Sequence, residues 1–195
     1  MLIEKIRTAT GNSHAQLEKK ISRVIAGIKD KADYSNLLKA FYGYVKPVQA
    51  SVYNYIDPWL LTDIEKRRSA SLLISDLLEL RNYEYPSVCR EVPIISTSQS
   101  AFGALYVLEG STLGGKIIYQ TISTKLNSNE GLRFFAGYGP NTGMMWKKFL
   151  QCLDHPENHQ RADDVIDTAL QTFTLFDSWI EKTYCNTSNT VMNRV

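Results

Sequence analysis

The stretch GALYVLEGSTLGGKIIYQ, from Gly103 to Gln120, decides the fold class. Its apolar residues recur at intervals of three and four, which is the period of an α-helix and not of a strand. It nevertheless contains Gly110, Gly114 and Gly115, and each glycine inside a helix costs about 1 kcal/mol relative to alanine. The pattern therefore predicts a long buried helix. Its three glycines lower helix stability, so we expect them to serve another purpose.

The same helical period extends along most of the chain. Asp33 is the predicted N-cap of the second helix, and Pro47 is expected to kink that helix or divide it in two. Counting that division, we expect roughly seven helices. The predicted helices run through Leu2–Ile21, Tyr34–Ile56, Thr62–Leu80, Gly103–Gln120, Met144–Leu153 and Arg161–Tyr184.

The segments between these helices carry turn residues instead of a period. Asn82–Thr97 reads as a connector with two prolines, Asn127–Gly143 as a glycine-rich loop, and His155–Gln160 as a break. VPIIST, within the connector, is the one strand candidate. We predict a single all-α domain over residues 1–185, followed by a polar tail over 186–195.

Composition limits the classes of partner. The formal net charge is only +2, and the densest basic run, EKRR at Glu65–Arg68, reads as an ordinary solvated helix face, so neither nucleic acid nor a membrane surface is an expected partner. The three cysteines, Cys89, Cys152 and Cys185, are odd in number and widely spaced, which favours a reducing cytoplasm. We see neither a signal-peptide pattern nor an apolar run of membrane-spanning length.

His14 is the histidine with a chemical context. It lies on the apolar stripe of the first helix, where a lone histidine is most often a partly buried structural residue. Glu18, at i+4, can bond one ring nitrogen and leave the other as a neutral metal ligand. Arg7 lies two turns back, about 10 Å away by helical rise, where a cation could meet the acidic edge of a large ligand. His155 and His159 fall in the polar break and are expected to be exposed.

No second metal ligand occurs at helical spacing from His14, which suits a metal that arrives inside a macrocycle, as in haem with one proximal histidine. The three glycines would let a helix backbone approach such a flat ligand and would permit a kink. Helix packing through G-x-x-x-G is the alternative, and it accounts better for Gly110 and Gly114 than for the adjacent pair Gly114–Gly115. Aromatic residues at helical spacing either line such a pocket or belong to the core: Tyr106, Tyr119, Phe134, Phe135, Tyr138, Trp146, Phe173 and Phe176.

Taken together, these residues resemble the haem oxygenase family, and in particular its bacterial, biliverdin-producing members. The resemblance runs from about Arg7 to Phe176 and keeps the family's order of motifs. The matching segments are RTATGNSHAQLE, LLKAFYGYVKP, ALYVLEGSTLGGKII and GYGPNTGMMWKKFL.

The resemblance implies an all-α fold with haem b held between a proximal and a distal helix. Gly110, Ser111 and Gly114 would form the catalytic distal segment, and Ser111 replaces an aspartate that many members carry after the first distal glycine. Gln151 occupies a position that is basic in some members. The implied iron ligand is His14, and the implied haem-contacting residues are Arg7, Glu18, Gly110, Gly114, Gly115, Lys147 and Phe173.

The implied activity is oxidative degradation of haem to biliverdin, with release of iron and carbon monoxide. It uses O2 and an external reductant, such as ferredoxin or a flavoprotein reductase, since the sequence carries no flavin or Fe–S motif. One alternative is a non-catalytic haem-binding or carrier protein of the same fold. Another is a helical protein of related shape with different small-molecule chemistry, such as the thiaminase-like or quinone-cofactor-forming proteins.

Overall fold

The computed structural model describes the backbone of residues 1–191 and the side chains of residues 1–184. That part of the chain contains α-helices and two short 3-10 turns, Ile64–Lys66 and Gly139–Asn141, and no strand, which confirms the predicted all-α class. The eight helices described are α1 (Leu2–Gly27), α2 (Lys31–Tyr55), α3 (Ser71–Glu79), α4 (Ser98–Leu126), α5 (Arg133–Ala136), α6 (Thr142–Leu153), α7 (Pro156–Gln160) and α8 (Ala162–Val191).

The central helix is α4, which packs against α2, α5, α6 and α8. Its first half is buried on all sides, as expected of a helix that is apolar all round. A Cβ at Gly103 would lie 2.3 Å from the carbonyl oxygen of Val165, so this glycine allows α4 and α8 to cross closely. The helix is continuous through its three later glycines.

Helix α2 begins earlier than predicted and is not interrupted by its proline. Asp30, and not Asp33, is the N-cap, and its carboxylate accepts hydrogen bonds from two backbone N–H groups in the first turn. Pro47 removes the N–H that would bond the carbonyl of Gly43. That carbonyl instead accepts the backbone N–H of Cys89 at 2.8 Å, so no polar group is left unpaired and the helix continues to Tyr55.

The predicted third helix is in fact two pieces. A 3-10 turn ends at Lys66, α3 begins at Ser71, and the intervening residues leave the helical path. Arg67 and Arg68 turn inward there and are buried, with 4% and 8% of their surfaces exposed. The interpretation of EKRR as a solvated helix face was therefore wrong at both arginines.

Short helices occupy two segments that were predicted to be irregular. α5 lies within the predicted loop 127–143, and the buried carboxylate of Asp76 on α3 anchors it by accepting the backbone N–H groups of Arg133 and Phe134 at 3.0 and 2.9 Å. α7 lies within the predicted break at His155–Gln160. The connector 82–97 is irregular as predicted, and VPIIST forms no strand.

The last described helix, α8, packs along both α1 and α4. It begins at Ala162, as predicted, but continues to Val191, past the predicted end at Tyr184. The first part of the predicted polar tail is therefore helical, and residues 192–195 lie outside the described part of the chain.

Candidate functional site

His14 lies on α1 with 55% of its side chain exposed. Its ring packs against the buried ring of Phe173 on α8, with 5.3 Å between the centroids. Its Nε2 lies 3.5 Å from Oε1 of Glu18, as the i, i+4 spacing predicts. One ring nitrogen, Nε2, therefore faces a carboxylate, and the other, Nδ1, is the nitrogen that Glu18 does not face. More than half of the His14 side chain is exposed, so it lies at the surface of α1 and not in the core.

Helices α1 and α4 meet near the start of α1. The phenol of Tyr106 on α4 approaches the hydroxyl of Thr10 and the guanidinium of Arg7. Burial raises the pKa of Tyr106 above its usual value, while Arg7 and Thr10 act in the opposite direction. Arg7 itself is exposed, so it places a positive charge beside this contact.

The same two helices also meet near their C-terminal ends, where Nζ of Lys125 donates to the carbonyl of Ala26 at 2.8 Å. Between Thr10 and Ala26, α1 rises about 24 Å. We call the space between α1 and α4 within these limits the cleft. The exposed ring of His14 lies on α1 within this stretch.

The three later glycines of α4 have different surroundings. A Cβ at Gly114 would meet no atom within 4 Å, and a Cβ at Gly110 would lie 3.6 Å from the ring of Trp146 on α6, in ordinary contact. A Cβ at Gly115, in contrast, would lie 2.6 Å from the carbonyl oxygen of Phe135 on α5. Gly114 thus leaves open space, whereas Gly115 is explained by close packing of α4 against α5.

Two apolar residues continue the exposed face of α4 along the cleft. Leu113 and Ile117 follow Tyr106 by seven and eleven positions, so all three lie on one stripe of the helix. Leu113 is 47% exposed and Ile117 is 69% exposed. Sequence analysis missed both, since apolar periodicity in a long helix does not distinguish a stripe that is packed from one that is left open.

Ser111 is bound to the protein itself. Its hydroxyl donates to the carbonyl of Leu108 at 2.7 Å and accepts a hydrogen bond from Nη2 of Arg68. A serine hydroxyl has one proton, and that proton is used here. Ser111 therefore cannot donate to a ligand in the cleft without giving up its bond to Leu108.

A buried charge network adjoins this turn of α4. Glu109 is 2% exposed, and its carboxylate accepts hydrogen bonds from Arg67 and from the hydroxyl of Tyr138, each at 2.9 Å. Arg67 also binds Asp63 at 2.8 Å. Burial and the neighbouring charge of Glu109 raise the pKa of Tyr138 well above its usual value. Sequence analysis missed the roles of Arg67, Arg68 and Glu109, because a run of charges gives no sign of which members turn inward.

The α6 side of the site carries exposed polar groups. Trp146 packs on Tyr106, with 5.6 Å between the ring centroids, and covers Gly110. Lys147, which directly follows it, is exposed, as is Gln151 one turn later. His155 and His159 are exposed as predicted, and His159 bonds Asp154 at 2.9 Å.

Within residues 1–184, no group of three or more His, Cys, Asp or Glu side chains is placed to hold a metal ion. Across the same described region, none of the helices combines the length and the apolar character needed to span a bilayer.

The predicted site residues lie on several helices. His14, Glu18 and Arg7 lie on α1, and Phe173 of α8 packs against the His14 ring. On α4, Gly114 borders open space and Gly110 lies against Trp146. Gly115 and the hydroxyl of Ser111 are instead engaged with neighbouring protein. An exposed imidazole and a cation on α1, together with an exposed apolar stripe on α4, are the groups that a flat, largely apolar ligand with an acidic edge would need.

Comparisons with solved structures agree on the fold. A heme oxygenase from Neisseria meningitidis, solved with NO and CO bound, aligns with a TM-score of 0.77 at 21% identity over 95% of this chain and 92% of that one. Heme oxygenase-1 from the cyanobacterium Synechocystis, solved with heme, aligns with a TM-score of 0.73 at 16% identity over 97% and 95%. A comparison with curated protein sequences gave no match. The fold is therefore that of the heme oxygenases, as predicted.

The family itself is decided by sequence. The model described as Heme oxygenase matches residues 1–182, which include both walls of the cleft. The chain therefore belongs to the haem oxygenase family.

Proposed function

We propose that this protein binds haem b in the cleft between α1 and α4 and degrades it oxidatively to biliverdin, releasing iron and carbon monoxide. Family membership supports haem as the substrate. The observation that carries the proposal is the exposed imidazole of His14 on α1, paired with Glu18, together with the open space beside Gly114 on α4.

The residues of the cleft fit haem. His14 offers one nitrogen donor, and Glu18 fixes the ring through the other nitrogen, which is how protein histidines are oriented toward metals. Leu113 and Ile117 offer apolar contact to a flat macrocycle, and Gly114 removes the side chain that would hold it away. Arg7 is the cation in position to bind an acidic edge, since it lies at the Tyr106 end of the cleft.

Lys147 is the second proposed cation for the propionate groups, carried on the helix whose Trp146 covers Gly110. Gln151, one turn later on the same helix, adds no charge. The resulting clamp has two cations, and together they would fix the rotation of haem within its own plane through charge-assisted hydrogen bonds.

When bound, haem supplies the iron at which O2 is activated and the ring that is attacked. On the α4 side, the helix backbone would approach the haem closely and offer few hydrogen-bond donors to a ligand on the iron. Gly114 presents backbone beside open space, so a ligand bound there would be confined by the helix and would not touch a side chain at that position. Because the proton of Ser111 is used within α4, water is the donor expected to reach a distal ligand.

Electrons are proposed to come from an external reductant, such as ferredoxin or a flavoprotein reductase. The basis is the lack of flavin and Fe–S motifs in the sequence. The cytoplasm is the proposed compartment, on the strength of cysteine usage.

The deciding experiment is titration with hemin, followed by reduction in air. We expect a stoichiometric haem spectrum that gives way to bilin absorption, with carbon monoxide released. A haem spectrum without these products would identify a non-catalytic carrier and overturn the oxygenase proposal. Failure to bind hemin stoichiometrically would favour a relative with different chemistry.

The His14→Ala variant tests the proximal ligand. Its ring is exposed, so the fold should be retained while the histidine-ligated haem spectrum is lost. His159→Ala is the matched control, because His159 is also an exposed histidine beside a carboxylate but lies on α7, away from the cleft. An unchanged iron spectrum in His14→Ala would refute the assignment.

A further inference from the structure

Arg68 is a buried cation whose contacts are all uncharged. Its Nη2 donates to the carbonyl of Leu108 at 2.9 Å and to the hydroxyl of Ser111, and its Nη1 reaches the carbonyl of Phe134 at 3.4 Å. Its guanidinium carbon lies 4.0 Å from the centroid of the Phe134 ring. Burial lowers the pKa of Arg68 to about 10.

The adjacent Arg67, unlike Arg68, is paired with carboxylates. Arg67 lies between the carboxylates of Asp63 and Glu109 and neutralises buried charge. Among the described residues, Arg68 forms no ion pair, although the nearby charge of Glu109 favours its charged form. Burying such a charge is unfavourable, and the hydrogen bonds of Arg68 are what the fold gains from it.

These hydrogen bonds converge on one turn of α4. Arg68 binds Leu108 and Ser111, while Arg67 and Tyr138 bind the intervening Glu109. The turn also contains a glycine at position 110, and a second glycine follows one turn later. Glycine gives the backbone its greatest freedom, so this is the part of α4 that most needs support from outside the helix.

We propose that Arg68 is a positioning residue, which holds the 108–111 turn of α4 in place and so fixes how far the glycine face stands from His14. It also keeps the hydroxyl of Ser111 engaged and out of the cleft. That Arg68 stabilises this turn does not depend on haem binding. Its effect on haem ligands rests on the proposed function.

Hydrogen–deuterium exchange of the haem-free protein tests the support directly. In Arg68→Met we expect exchange in the segment 106–118 to rise by about tenfold or more, with the segment 34–45 of α2 unchanged. Ser111→Ala should produce a smaller rise in the same segment. Arg133→Met is the matched control, since Arg133 precedes Phe134 but is largely exposed, and it should change neither segment.

An equal rise in exchange in both segments would overturn the proposal, because Arg68 would then stabilise the protein as a whole. No rise in 106–118 would also overturn it, because Arg68 would then not stabilise the turn. If Arg68→Met does not fold, Arg68→Lys and Ser111→Ala decide by the same criterion, since each keeps a buried cation.

The haem-loaded protein gives a second readout. In the carbon monoxide complex, Arg68→Lys should shift or broaden the C–O stretching band, which reports the polarity next to the ligand, while Arg133→Met should leave it unchanged. If the C–O band is unchanged while hydrogen–deuterium exchange in 106–118 rises, Arg68 supports the turn but does not influence haem ligands. Failure of the wild type to bind hemin would remove the proposed function alone.

Discussion

Replacing each of the adjacent glycines of α4 with alanine should change stability in opposite directions. At Gly114 a Cβ meets no atom within 4 Å, so the variant gains helix propensity without a steric cost. That gain is about 1 kcal/mol, which raises the Tm of a chain of this size by roughly 2–4 °C. At Gly115 the Cβ would lie 2.6 Å from the carbonyl oxygen of Phe135.

The cost at Gly115 is set by how firmly α5 is held. Asp76 fixes α5 through two backbone N–H groups, so the carbonyl of Phe135 has little room to retreat. Overpacking of this kind costs about 1–3 kcal/mol. Because the propensity gain is common to both variants, Gly115→Ala should be less stable than Gly114→Ala by about 1–3 kcal/mol.

Urea unfolding followed by circular dichroism measures this difference, provided that the slope with denaturant is the same in both variants. Equal stabilities, or a more stable Gly115→Ala, would refute the packing argument. Gly114→Ala should also bind hemin more weakly than the wild type despite its higher stability, since its methyl group enters the cleft. A Gly114→Ala variant with unchanged hemin affinity would show that the open face is not the haem face.

Three further changes test the fold around the site. Asp76→Ala should destabilise by about 2–4 kcal/mol, because it leaves two backbone N–H groups without acceptors; urea unfolding measures this, and a loss below about 1 kcal/mol would contradict the anchoring role. Burial raises the pKa of Tyr44 far above its usual value of 10.0, so the unfolded chain loses this proton first and stability should fall as pH rises above that value. Tyr44→Phe removes the titrating hydroxyl and its bond to the carbonyl of Thr172. Its free energy of unfolding, measured with urea, should therefore fall less steeply with pH across that range, and an equal dependence on pH would count against the argument. Pro47→Ala should keep its helix content by circular dichroism and change stability by less than about 1 kcal/mol, since the carbonyl of Gly43 is already paired; a large gain would mean that the proline strains α2.

The sequence predicted the helical class, the long central helix and the pairing of His14 with Glu18, because these depend on spacing along one helix. It also singled out Gly110, Gly114 and Gly115 as a group. It did not separate Gly114 from Gly115, since a glycine beside open space and one against a carbonyl look alike in sequence.

The errors have a common physical origin in contacts between distant segments. Pro47 does not break α2, because Cys89 from the connector supplies the missing hydrogen bond. Arg67 and Arg68 are buried, because α4 offers them Glu109 and backbone carbonyls. None of these partners is close in the chain, so local propensity favoured the wrong structure at each point.

The contact between α1 and α8 joins parts of the chain that are made at very different times. Lys20 on α1 pairs with Asp177 on α8, 157 positions later, and the ring of His14 packs on Phe173 of the same helix. During synthesis, α1 therefore waits roughly 10–30 s for the helix that covers it. Through that interval the apolar face of α1, including Leu2 and Ile6, lacks its main partner. Until α8 is made, the nascent chain therefore exposes apolar surface that favours aggregation.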